Sequence, residues 1–79
     1  MKRNMSENKL KQAFSHIHQV HKSRICLVQS DSISKGEIAD WHRVMYDVNI
    51  GPFTHTFITD VMITDDGRKS YHTANTETV

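Results

Sequence analysis

Residues Phe53 to Thr73 read FTHTFITDVMITDDGRKSYHT, and the fold turns on whether residues 53–62 are strand or helix. The run is rich in β-branched and aromatic side chains, and Asp66-Gly67 separates it from a second, shorter run. Asp-Gly between such runs signals a β-hairpin, because the tightest turns need a positive φ that glycine adopts without steric cost. A two-residue loop pairs Ile63 with Ser70 and Val61 with His72 on one side of the ribbon, and Met62 with Tyr71 on the other. Phe53, Phe57, Val61 and Ile63 then face a core. Ile58, Met62 and Tyr71 gather on the reverse side.

Toward the N-terminus, Ser34 and Glu37 form a capping-box pattern, each side chain able to satisfy a backbone amide at a helix entrance. Ile38, Trp41, Met45 and Val48 follow at the spacing of one helical face, and Asn49, Gly51 and Pro52 stop the helix. Ahead of it, Ile25 to Val28 is a short apolar run suited to a strand that is covered on both faces. A first helix is expected from a Ser6 cap to about Lys22, with Leu10, Ala13, Phe14, Ile17 and Val20 as its buried stripe. The order is α-β-α-β-β. This predicts an α+β fold, with two helices packed on one face of a small three-stranded sheet that ends in a C-terminal β-hairpin. The first strand and the hairpin are joined by a right-handed parallel crossover. Residues 1–79 form a single small domain, with mobile ends expected at about 1–5 and 75–79.

A chain of 79 residues buries only about 60 to 65% of the surface exposed in its unfolded form, so its stability is expected to be modest. Cys26 is the only cysteine, which excludes an intrachain disulfide. No apolar segment near Met1 resembles a signal peptide and no stretch reaches the length of a membrane span, so a cytoplasmic location is expected. The net charge is +1, distributed as 7 basic and 4 acidic residues over 1–40 against 3 and 5 over 41–79. The mildly basic first half is what a solvated helix face also produces.

Residues with chemical potential are present without the spacing that chemistry needs. His16, His18 and His21 share one helix, but no two stand at the i and i+4 positions that suit helical metal ligands. Cys26 lies inside the most apolar run, where a thiol is inert. Asp60 and His72 fall on opposite faces of the hairpin, and there is no phosphate loop, nucleophile elbow or paired metal-ligand motif. No enzyme activity, metal or cofactor is therefore expected. His21, His42 and His55 fall on or beside apolar positions, so acidification should loosen the fold by charging buried rings. The ending Glu77-Thr78-Val79 resembles a peptide for carboxylate capture, but Glu77 occupies the place where the commonest version has a hydroxyl residue.

A winged helix-turn-helix is the rival fold. Phe53, Phe57, Ile58, Val61 and Met62 also satisfy a helical stripe, which would make residues 54–60 a recognition helix and the Asp66-Gly67 hairpin a wing. Nucleic-acid contacts would then come from Lys2, Arg3, Lys35, Arg43, Arg68 and Lys69. Against this, Thr54, His55, Thr56, Thr59 and Asp60 offer no Arg or Lys to phosphate or guanine, and threonine-rich runs favour strands. The preferred expectation is a small non-catalytic regulator or inhibitor that binds protein as a homodimer, or binds a larger protein, through Ile58, Met62 and Tyr71. The alternative is a winged-helix DNA-binding transcriptional regulator.

Overall fold

The Ser6 side chain accepts a hydrogen bond from the Lys9 amide at 3.4 Å and caps helix α1, Glu7–His18. The computed structural model describes residues 6–65 and 69–79. Gln19, in the left-handed region at φ 56°, ends α1 a turn earlier than the apolar stripe suggests, and the Val20 amide closes back on the Ser15 carbonyl at 3.2 Å. A single 3-10 turn, Lys22–Arg24, leads into β1, Ile25–Lys35.

From there the described chain is strand: β2 is Ala39–Ile50, β3 is Phe53–Asp65 and β4 is Lys69–Thr78. They form one antiparallel sheet in the order β1-β2-β3-β4, each strand beside its sequence neighbour. This overturns the expected pair of helices on a three-stranded sheet, the parallel crossover and the winged helix. Residues 53–62 are strand throughout.

The second helix gave way because its segment satisfies two periods. Ile38, Trp41, Met45 and Val48 fit a helical stripe, but Val44, Tyr46 and Val48 alternate with Arg43, Met45 and Asp47, and the first three are fully buried. Tertiary burial of a β-branched and aromatic alternation outweighs a cap pattern that contributes only about 1 kcal/mol. The expected helix entrance is instead a turn, in which the Gly36 amide donates to the Ala39 carbonyl at 2.9 Å and to Asp40 Oδ1 at 3.3 Å. A Cβ at Gly36 would lie 2.8 Å from that carbonyl oxygen, so the turn requires glycine. The expected stop signal is a hairpin turn. Gly51 has φ 59° and Pro52 supplies the fixed negative φ that follows, the pattern of a type II′ loop, with Ile50 opposite Phe53.

The β3–β4 register differs by one residue from the two-residue-loop expectation: Asp65 pairs with Lys69, Ile63 with Tyr71 and Met62 with His72. Asp66 and Gly67 themselves lie outside the described residues. A one-residue slip moves every side chain of the strand to the other face. Tyr71 therefore points to the helix side, where its hydroxyl accepts the Ser6 amide at 2.7 Å and ties the start of α1 to β4. Tyr71→Phe is expected to lower stability by about 1 kcal/mol, the worth of one such bond. Urea unfolding would show it, and an unchanged midpoint would deny the tie any role.

Leu10 and Phe14 lie over Ile25, Val44, Tyr46, Val48, Val61 and Ile63 to form the core on one face of the sheet. Asn75 to Thr78, read from composition as a mobile end, continue β4, and the Val79 amide donates to the Thr56 carbonyl at 2.9 Å. Residues 1–5, the other expected mobile end, lie outside the described residues.

Candidate protein-binding face

The β2–β3 ladder runs without a bulge from Ala39 opposite Thr64 to Ile50 opposite Phe53, so alternation along it assigns every side chain to a face. Those of Trp41, Arg43, Met45 and Asp47, with Thr56, Ile58, Asp60 and Met62, turn away from α1. Rows across the sheet follow from the register: Trp41 beside Met62 and His72, Met45 beside Ile58, Arg43 between Asp31 and Asp60, and Asp47 between Cys26 and Thr56. No element among the described residues covers this face. Trp41, Met45, Ile58 and Met62 are each only half-buried.

Polar groups on the face are held in fixed orientations. Arg43 Nε donates to Asp60 Oδ1 at 3.0 Å, and Asn75 Nδ2 donates to the other Asp60 oxygen at 3.4 Å. Thr56 Oγ1 donates to Asp47 at 2.6 Å, and Gln29 Nε2 to Asp31 at 2.8 Å. The Arg43 hydrogen bond, followed by that from Asn75, holds the Asp60 carboxyl below its ordinary pKa, and the same pair raises Arg43. Two shallow depressions flank the guanidinium: one of about 360 Å³ against Ile58, Asp60, Asn75 and Glu77, the other against Asp31, Met45 and Ile58. Among the described residues the face carries the carboxylates of Asp31, Asp47, Asp60 and Glu77 against the single cation Arg43. The opposite surface has the reverse sign, since Lys9, Lys11, Lys22 and Arg24 of α1 and the turn after it accompany only Glu7.

Of the residues singled out from the sequence, Ile58 and Met62 lie on this face and Tyr71 does not; His72 takes its place beside Met62. A helical reading of this segment hides Trp41 and Met45; the alternation of Val44, Tyr46 and Val48 with Arg43, Met45 and Asp47 is the sequence signal that reveals them. Of the nucleic-acid set, the described side chains are on opposite faces. Lys35, opposite Asp40, belongs to the helix side of the sheet and Arg43 to the reverse side. Lys2, Arg3, Arg68 and the Lys69 side chain lie outside the described residues.

The histidines separate. His18 is the one built into packing: its Nε2 shares a 2.7 Å hydrogen bond with the Tyr46 hydroxyl, and its ring sits 4.5 Å from that of Phe57. His21 accepts from the Ser23 amide at 3.1 Å on the surface, His55 is exposed and His42 is half-buried. Among the described residues, no three His, Cys, Asp or Glu side chains are grouped to hold a metal ion. Cys26 is exposed on the reverse face rather than enclosed in an apolar run.

Burial lowers the His18 pKa below 6.5 and pushes the Tyr46 hydroxyl from 10.0 up to about 12. Below pH 6.5 the unfolded chain binds a proton that folded His18 resists. Above pH 10 the unfolded chain releases one that folded Tyr46 retains. Both differences favour unfolding. The urea midpoint is therefore expected to be flat between about pH 6.5 and 10 and to fall on either side. A midpoint that holds from pH 7.5 to 5.5 would contradict the acid limb.

No family model, curated protein or solved structure matches this chain. Among the described residues, no helix is long and apolar enough to cross a membrane.

Proposed function

We propose that this protein is a non-catalytic binding module, a regulator or inhibitor, whose uncovered sheet face docks on a basic surface of a larger protein. One observation carries the reading: on an unbroken ladder, the Trp41–Met62 and Met45–Ile58 pairs flank the Arg43–Asp60 row, on a face where carboxylates outnumber Arg43 four to one. Aromatic and methionine side chains dominate the centres of protein interfaces, and complementary charge speeds the encounter and excludes wrong partners. Self-association through this face, the homodimer expected from sequence, would set two acidic surfaces against each other. The charge balance therefore favours a basic partner over a second copy. The depressions beside Arg43, each edged by a carboxylate and Ile58, are suited to Lys or Arg side chains from that partner.

Cys26 provides the test, because its thiol is exposed on the same face, in the row of Asp47. The protein would be bound to its partner from an extract of the producing cell and treated with a maleimide. Slowed alkylation of Cys26 that is restored by about 0.5 M salt, where screening confines charge attraction to a few ångströms, is the expected result. Unchanged alkylation in the complex would move the interface elsewhere. Sedimentation of the pure protein as a dimer with protected Cys26 would assign the face to a second copy.

A further inference from the structure

α1 is the only α-helix among the described residues and lies across one face of the sheet as a ridge. Leu10 and Phe14 turn inward. At 3.6 residues per turn Gln12 and His16 then point away from the sheet, with Lys9 on the flank toward β4 and Asn8 and Lys11 on the flank toward β1. Asn8, Lys9, Gln12, His16 and the capping Gln19 are all exposed. The turn after the helix adds to this ridge: Lys22 Nζ donates to Asn8 Oδ1 at 3.2 Å, which holds its ammonium group on the β1 flank, and Arg24 is exposed close by in sequence. From Asn8 to Arg24 there are four Lys or Arg residues and no Asp or Glu, whereas a helix face that is merely solvated ordinarily mixes both signs. Glu7, the one carboxylate of α1, lines the groove beneath the helix with Leu10 and Val44. The five residues before Ser6 contribute Lys2 and Arg3 and no carboxylate to the sequence.

We infer that the outer ridge of α1 is a second binding surface, which takes duplex DNA by entering its major groove. Lysines on both flanks suit the phosphates on either side of a groove, and the amides between them are the groups that hydrogen-bond to base edges. A helix with its side chains is about 10 to 12 Å across, matched to the width of about 12 Å of the B-form major groove. The major groove of duplex RNA is too narrow to admit it. A bilayer fits less well, because Gln12, His16 and Gln19 give the crest of the ridge no apolar side chain to bury. The acidic face lies behind the sheet, farther from the crest than the about 8 Å over which charge acts at physiological ionic strength, so it does not cancel the attraction. This surface is separate from the sheet face proposed above and requires no protein partner.

Fluorescence anisotropy of a labelled DNA duplex of two helical turns, titrated with the full-length protein from about 50 to 200 mM NaCl, tests the site. With one phosphate for each of Lys9, Lys11, Lys22 and Arg24, the logarithm of the affinity is expected to fall against the logarithm of salt with a slope of about −3.6 or steeper. Lys9→Gln combined with Lys11→Gln should make the slope shallower by about 2 and weaken binding at the lowest salt at least tenfold. Glutamine matches lysine in helix propensity, and circular dichroism of the double variant checks that α1 remains. Backbone amide shifts on adding the duplex should concentrate between Asn8 and Arg24. A slope shallower than about −1, equal binding by the double variant, or shifts confined to the reverse sheet face would each overturn the proposal. Tighter binding to an RNA duplex or to phosphatidylserine vesicles than to DNA would overturn it as well.

Discussion

Phe14→Ala is expected to remove a large share of the protein's stability. The ring is fully buried and lies flat on Tyr46, with centroids 3.8 Å apart and planes 6° from parallel, while Tyr46 in turn stacks near Phe57 and contacts His18. Emptying such a site costs about 3 to 5 kcal/mol, whereas a chain of this length has a total stability of about 4 to 12 kcal/mol. The loss falls on the weakest element. A 12-residue helix is marginal in water on its own, and of the residues in α1 only Leu10 and Phe14 are buried. Far-UV circular dichroism with urea unfolding reads the effect directly. Phe14→Leu keeps most of the volume and should cost about half as much. A loss below about 1 kcal/mol for Phe14→Ala would mean that α1 does not lie where the aromatic stack places it.

The second large effect belongs to binding rather than stability. Ile58→Lys combined with Met62→Lys is expected to weaken partner binding at least 100-fold, about 2.8 kcal/mol, while the thermal midpoint moves by only a few degrees. Both side chains are half-exposed, so lysine can extend into water, and Asp60 and Glu77 are near enough on the face to receive its charge. In the complex the same lysines would meet a basic surface. Tyr71→Lys is the informative contrast. It loses the bond to Ser6 and disturbs the packing under α1, so it should lower the unfolding midpoint and leave binding through the reverse face nearly intact. Equal affinity of the wild type and the double variant would remove Ile58 and Met62 from the interface.

The contrast between Ile58 and Tyr71 marks how far the sequence could be read. Helix α1 was legible because cap, stripe and solvent face agree over Ser6 to His18. Residues 53–64 were legible as a strand because β-branched residues alternate there. The second helix was misread where Trp41 to Val48 satisfies two periods at once, and local rules do not arbitrate between periods; burial of Val44, Tyr46 and Val48 against Phe14 does. Tyr71 was misplaced by a single residue of register, which the turn fixes and composition does not. Half of the face was therefore visible in Ile58 and Met62. Trp41 and Met45 required knowledge that β2 is a strand.

Every strand pairs with its neighbour in sequence, and the tightest connection, Gly51-Pro52, joins the two longest ladder partners, β2 and β3. Pairing can therefore zip outward from that turn with little loop entropy to overcome at each step, a wiring associated with fast folding. The bond from Ser6 to Tyr71 spans 65 residues and can close only after β4 has been added. On this sequence of events the reverse face is assembled while its opposite side still awaits α1, and a partner could engage the nascent hairpin before the hydrophobic core is sealed.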